Sequence, residues 1–285
     1  WLLGRRAAEN MRERVEVISD ALRAAEEGRE TGVTSHQPSD EIGELADLSG
    51  RTITRAASLA RTHRHMSDQI AHEIRTPLTR LDRRLATAIA ELPPDADYDA
   101  LERSRQDIRS VVAMLDSLLD IAASEGRVGD RSGLEEIDLS ALAADLGELY
   151  EASAEEAGIE LRQDIVPGVA IMGERMQFVR LISNLLDNAL KHVPEGGRIE
   201  LVVREGPVVE VRDDGPGIDP DLRPLVFDRF RTGAISQGGV SHGLGLALAQ
   251  AIALRHEMKI GLVDAERGAH FVVKPHKLWE TGGLA

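Results

Sequence analysis

The chain has 285 residues, enough for two or three modest domains, and its 49 acidic residues outnumber 34 basic ones to give a formal net charge of −15. That charge argues against non-specific nucleic-acid binding, because phosphate repulsion would have to be overcome everywhere outside a local patch. Cysteine is absent, which removes disulfides, thiolate metal sites and thiol catalysis and fits a reducing compartment, while aromatics at 3% leave Leu, Ile, Val and Ala to build the cores.

The chain opens Trp1-Leu2-Leu3-Gly4-Arg5-Arg6. An apolar end carrying tryptophan, followed by paired arginines, looks like the cytoplasmic edge of a membrane helix, although no apolar run here is long enough to span a bilayer. The expectation is a cytoplasmic region following a transmembrane helix. Residues 7–27 read as a charged helix with Met11, Val15, Ile18 and Leu22 on one stripe. Glu27 to Ser39 is a connector, and Asp40-Glu41-Ile42-Gly43-Glu44-Leu45 opens a second helix with Ser39 or Asp40 as N-cap. Neither helix can bury its stripe alone, so a parallel four-helix bundle built from two chains is expected.

That second helix runs on through Ile70, Ile74, Leu78, Leu81 and Leu85 to about Leu92. His72 points nearly opposite the Ile70/Ile74 stripe, with Thr76 one turn on upon the histidine's own face. Pro77 cannot donate to the carbonyl of Glu73, so a kink is expected beside the histidine. Pro93-Pro94-Asp95 ends the helix, and Asp97 or Asp99 begins another with Leu101, Ile108, Val112, Leu115 and Leu119 inward. Two antiparallel helices with one stripe each leave much surface uncovered, so two hairpins should pair into a dimeric four-helix bundle. Gly126 to Gly133 is polar and glycine-rich, the clearest domain boundary in the chain.

Beyond it helices and strands alternate. Leu139 to Ala157 reads as helix, Ile159 to Ile165 as strand, and Arg175 to Val193 as a long helix. Ile199–Val203 and Val208–Arg212 form a hairpin around Glu205-Gly206-Pro207. A helix from Leu244 to His256 follows, with strands near Lys259–Val263 and His270–Lys274. Helices with a mixed, largely antiparallel sheet give a two-layer α/β sandwich.

Three patterns in this part carry chemistry. Asn184, Asn188 and Lys191 lie to one side of the Phe178/Leu181/Leu185 stripe; amide oxygens suit Mg²⁺ and the lysine suits phosphate. The strand through Val209 and Val211 ends in Asp213-Asp214-Gly215-Pro216-Gly217-Ile218. Its aspartate accepts from an exocyclic amine, which adenine offers and guanine does not at that position, and its glycines admit a base closely. Finally Phe227-Asp228-Arg229-Phe230-Arg231 precedes Gly243-Leu244-Gly245-Leu246-Ala247, where glycines entering a helix present N–H groups to phosphates. The stretch between reads as a lid anchored by Phe227 and Phe230, with Arg229 or Arg231 reaching the γ-phosphate.

His72-Glu73-Ile74-Arg75-Thr76-Pro77-Leu78 resembles the phospho-acceptor box of sensor histidine kinases, and the two helices before it resemble the HAMP signal-relay module. The asparagine helix, the Asp213 segment and the glycine turn resemble the boxes of the GHKL ATPases, with the Bergerat ATP-binding fold. The resemblance covers about residues 5–275. It implies a HAMP-like segment over 1–60, a dimerisation and phosphotransfer hairpin over 61–128 and a catalytic ATP-binding domain over 129–285. It further implies Asn188 as direct Mg²⁺ ligand with Asn184 beside it, Lys191 on phosphate, His192 against the nucleoside and Asp213 as adenine reader. Autophosphorylation of His72, helped by Glu73, would be followed by transfer to the receiver domain of a response regulator, with Thr76 serving the reverse dephosphorylation. The last glycine box departs from the pattern: Gly268-Ala269-His270-Phe271 stands where Gly-x-Gly-Thr-x-Phe is usual. Three rivals are a clamp ATPase of the same superfamily, a phosphatase-biased protein and a non-catalytic dimeric scaffold. The acceptor box counts against the first and the intact glycines and asparagines against the last.

Overall fold

The computed structural model describes residues 48, 51, 52, 55, 73–93, 98–231, 242–265 and 267–280. Most of the HAMP-like segment, His72 and the expected lid between Arg231 and His242 therefore lie outside the described residues. The chain divides into two compact units, Trp1–Gln69 with Gly126–Asp130, and Ile70–Glu125 with Arg131–Ala285. In the first, Leu48, Arg51, Thr52 and Arg55 are helical, and the Thr52 hydroxyl donates to the Leu48 carbonyl at 2.8 Å. Residues 126–130 form a turn in which the Asp130 N–H donates to the Arg127 carbonyl at 3.0 Å.

The second unit begins with two helices, α1 over residues 73–90 and α2 over Asp99–Glu125. The chain stays helical on both sides of Pro77. Acidic Asp99 and Glu102 in the first turn of α2 complement its dipole. Arg105 reaches Asp82 at 3.1 Å and Arg75 pairs with Asp116, links that fix an antiparallel hairpin. Its apolar stripe stays partly open: Ile74 is 42% exposed, and Leu81 and Val111 are 45% exposed.

The remainder is sheet and helix. Strand β1 (Glu135–Asp138) pairs antiparallel with β3 (Ala170–Gly173), a small sheet the sequence pattern did not signal. Asp138 then caps helix α3 (Leu139–Glu156), its carboxylate accepting the Ala141 N–H at 2.8 Å. Strand β2 (Glu160–Ile165), helix α4 (Arg175–His192), strands β4 (Arg198–Arg204) and β5 (Val208–Asp213), a single 3-10 turn (Arg223–Leu225), helix α5 (Gly245–Arg255), strands β6 (Met258–Val263) and β7 (His270–Pro275) and helix α6 (His276–Glu280) complete the described elements.

The larger sheet has the order β2-β4-β5-β7-β6, with β2–β4 parallel and the other pairs antiparallel. This is the expected mixed α/β layer. Alternation places Ile199, Leu201, Val203, Val209 and Val211 on one face, where Phe178, Leu181, Ile182 and Leu185 of α4 and Leu248 and Ile252 of α5 close over them. Each large side chain buried there is worth about 1.5–3 kcal/mol. On the opposite face Trp279 of α6 lies over Gly261, flanked by the Lys259 and Lys274 ammonium groups at 5.4 and 4.5 Å from its ring centre. Among the described residues no helix is long and apolar enough to cross a membrane.

Candidate functional site

Helix α4 buries Leu181, Leu185, Leu186 and Ala189, which turns Asn184 and Asn188 to its half-buried side. The Asn184 amide nitrogen donates to the Arg180 carbonyl at 2.7 Å, so its oxygen is the end left to face outward from its own helix. That oxygen would lie 2.8 Å from a Cβ at Gly245, so the first residue of α5 packs directly on Asn184 and a side chain there would collide. Asparagine helix and glycine turn are thus one assembly. Lys191 and His192 end α4, both exposed. Desolvation of the His192 ring and then the Lys191 charge hold its pKa below the ordinary value, with Asp213 opposing. The His192 carbonyl would lie 3.2 Å from a Cβ at Gly215.

Asp213 sits at the end of β5, beside β7. Its N–H donates to the Ala269 carbonyl at 2.9 Å, and its Oδ1 accepts from the Ala269 N–H at 3.1 Å and the Gly215 N–H at 3.0 Å. Burial raises its pKa, and these two N–H donors pull it back. Gly268 has φ +74°, and a Cβ there would come within 1.8 Å of the Asp213 carbonyl, so only glycine permits the contact. The unusual last glycine box therefore holds the aspartate through main-chain groups, which the sequence reading had not assigned to it. Gly217 touches the same wall, its would-be Cβ 3.1 Å from the Gly268 carbonyl.

Phe227 packs edge-on against Phe271 with centroids 6.3 Å apart, while Phe230 is 57% exposed. Of the two expected anchors, Phe227 contributes its ring and Phe230 its backbone, whose N–H donates to the Gly243 carbonyl at 2.9 Å. Gly243, at φ +64°, would place a Cβ 2.5 Å from the Arg231 carbonyl. The chain thus leaves at Arg231 beside the point of return at Gly243. Leu244 is buried and Leu246 packs against the core behind the turn. Arg231 is exposed, and Arg229 pairs with Glu125 of α2. Glu73 and Thr76 lie on the exposed side of α1, directly after His72. Among the described residues no group of three or more His, Asp or Glu side chains forms a metal cluster.

One contact at the site escaped the sequence reading. The Tyr150 hydroxyl on α3 donates to Asp187 Oδ1 at 2.8 Å, beside Asn188. Burial pushes the phenol up to about 12 and raises the Asp187 carboxyl as well. The available signal was Asp187 standing between the two asparagines. His256, nearly buried, accepts the Glu174 N–H at 3.1 Å on Nε2 and donates from Nδ1 to the Ile252 carbonyl at 2.8 Å. It is a neutral structural histidine, its pKa lowered by burial.

Residues 173–278 match the family of histidine kinase-, DNA gyrase B- and HSP90-like ATPases. The sensor protein QseC of Escherichia coli O157:H7 is 28% identical over 253 residues, covering 87% of this chain and 55% of that protein. The sensor histidine kinase CusS of Escherichia coli K12 is 30% identical over 244 residues, 82% of this chain and 49% of that one. The chain spans about half the length of the curated relatives it matches. The crystal structure of full-length ShkA in complex with AMPPNP shares the fold, with a TM-score of 0.60 at 24% identity over 73% of this chain and 45% of that one. A GHKL-type ATP-binding domain at the end of a helical hairpin, with sensor kinases as its relatives, places this chain in the sensor histidine kinase family.

Proposed function

We propose that this chain is the catalytic region of a sensor histidine kinase, which phosphorylates His72 from ATP and passes the phosphoryl group to an aspartate of a response-regulator receiver domain. The observation that carries the reading is Asp213, half-buried, with Oδ1 occupied by two main-chain N–H groups beside the asparagine helix. Its other oxygen then remains to accept from the adenine amine. Gly215 and Gly217 let the base approach, His192 flanks the nucleoside, and Lys191 with Arg229 or Arg231 meets the phosphates. Gly243 and Gly245, with Leu244 and Leu246 seating the turn, offer N–H groups at the start of α5.

The donor set also fits Mg²⁺. Asn184 has its amide nitrogen tied to Arg180, leaving a hard oxygen at the glycine turn. Asn188 and Asn184 would hold the ion, whose charge offsets that of the phosphates when bound. In transfer, a neutral His72 ring nitrogen forms the bond to the γ-phosphorus. The γ-phosphorus–oxygen bond breaks, its electron pair leaves with ADP, and the ring proton passes to Glu73. Thr76 would orient water when the regulator is dephosphorylated.

The remaining parts of the reading follow the same family. Residues 1–60 serve as a HAMP-like relay after a transmembrane helix, 61–128 as the phosphotransfer hairpin and 129–285 as the ATP domain. The chain works as a homodimer at the cytoplasmic face of the membrane, without nucleic acid. The partly open stripe of Ile74, Leu81 and Val111 supports pairing of two hairpins.

The test is incubation with Mg²⁺ and γ-labelled ATP beside His72→Gln and Asn188→Ala. Acid-labile, alkali-stable label that either substitution abolishes is the expected result. Label that survives His72→Gln would overturn the assignment of the acceptor.

A further inference from the structure

The strand that ends in Asp213 carries a charged cluster on its other face. Alternation turns Val209 and Val211 into the core beneath the helices and Glu210 and Arg212 to the outer side of the sheet. Across the ladder Arg212 stands opposite His270, and Glu210 opposite Val272. Glu210 Oε2 lies 2.7 Å from His270 Nε2 and accepts from Arg212 Nε at 3.0 Å, so one carboxylate ties β5 to β7. The tied rung adjoins the adenine reader. Arg212 directly precedes Asp213, and His270 directly follows Ala269, whose N–H and carbonyl hold that aspartate. Strand β5 ends at Asp213 and β7 begins at His270, so nothing beyond this rung continues the ladder. A carboxylate is a costly choice here if burial were its only task. The Glu210 side chain is 6% exposed, and its neighbours on the two flanking strands are the buried Val202 and Val272. A valine would continue that row, and packed apolar residues in place of a buried ion pair are often neutral or stabilising.

From this juxtaposition we infer that Glu210 is a positioning residue for the adenine reader, holding Arg212 and His270 together so that the open end of the β5–β7 ladder keeps Asp213 against Ala269. The inference rests on the ATP-site reading above. Glu210 lies on the far face of the sheet and acts only through Asp213. While the rung is tied, Asp213 Oδ1 keeps the Ala269 N–H at 3.1 Å, and the other carboxylate oxygen keeps its direction toward the base. Untied, the strand ends fray, the carboxylate turns, and the adenine amine loses a fixed acceptor. The phosphate end of the site, at Gly243 and Gly245, is untouched by this change.

The test uses the full chain and compares Glu210→Val and Glu210→Gln with the wild type, each under conditions where denaturant titration shows it folded. Mg²⁺-AMPPNP and Mg²⁺-ADP should both bind Glu210→Val about threefold to tenfold more weakly, and by the same factor, because the fault lies at the base. Glu210→Gln keeps an uncharged acceptor and should fall between. Carboxyl NMR of Asp213 supplies a readout that a purely structural role would not move. The Ala269 N–H lowers the Asp213 pKa, so a loosened rung should raise it in both variants, whereas loss of the Glu210 charge alone would lower it. Unchanged affinity in both variants, weakening of one nucleotide only, or an Asp213 pKa that stays or falls overturns the positioning role while leaving the ATP site standing. Should the valine variant not fold, the glutamine variant and its carboxyl titration decide. A wild-type chain that binds neither nucleotide overturns the site reading, and the positioning role with it.

Discussion

The hairpin and the sheet domain are made of the same Leu, Ile, Val and Ala, yet they finish their cores differently. In the sheet domain Phe178, Leu181, Ile199, Leu201 and Val209 are all wholly buried by neighbours from this one chain. In the hairpin Ile74, Leu81 and Val111 stay more than two-fifths exposed, and arginine–carboxylate pairs are the cross-links between α1 and α2. A five-stranded sheet with helices over one face has a closed inside; two helices have only a shared seam. The first can position a binding site by itself, whereas the second needs further surface to cover it.

Core truncation separates the two regions most strongly. Phe178→Ala should cost about 3–5 kcal/mol in denaturant unfolding, since its ring fills the space between Gly173 and the His256 ring 4.7 Å away. Leu81→Ala should barely move the same transition and should instead weaken self-association in sedimentation. Equal losses of stability in the two variants would erase the distinction.

A smaller effect follows from the pH dependence of the sheet's outer face. Glu210 is held down at about 2, first by the His270 bond at 2.7 Å, against burial, and then by Arg212. A carboxylate depressed in the folded state contributes stability that is present above its unfolded value and lost as pH falls toward the folded one, here from 4.5 to about 2. Glu210→Gln should remove up to roughly 3 kcal/mol of that acid-side dependence in unfolding titrations. His256, lowered from 6.5 by burial, adds an earlier loss as pH falls below that value. Smallest is Tyr150→Phe, about 1 kcal/mol through loss of the bond to Asp187. Because that bond lowers the Asp187 pKa, its removal should raise it further, visible by carboxyl NMR.

Much of the sheet domain was legible because its periods are long and clean. The Val208–Asp213 strand alternates, the α4 stripe recurs three and four apart, and Glu205-Gly206-Pro207 marks the turn between β4 and β5. Strands β1 and β3 were not, since four residues such as Glu135-Glu136-Ile137-Asp138 hold too few apolar positions to show a period. At the site, Asp213 and its glycines announce themselves by residue type. The Gly268–Ala269 support does not, because it acts through backbone atoms that any residue name conceals. The Arg229–Glu125 pair spans 104 positions, a distance over which local pattern carries no information.

Central to the proposed function is an adenine-reading nucleotide site at Asp213 of the sheet domain. Calorimetric titration of the full chain with ATP, with GTP, and of Asp213→Asn with ATP tests it directly. Loss of a hydrogen bond to a charged group is worth about 1.5–3 kcal/mol, so ATP should bind the wild type at least tenfold more tightly than it binds the variant. GTP should bind the wild type weakly, and the unfolding transition should persist in the variant. An Asp213→Asn chain that folds and binds ATP as tightly as the wild type would contradict the account.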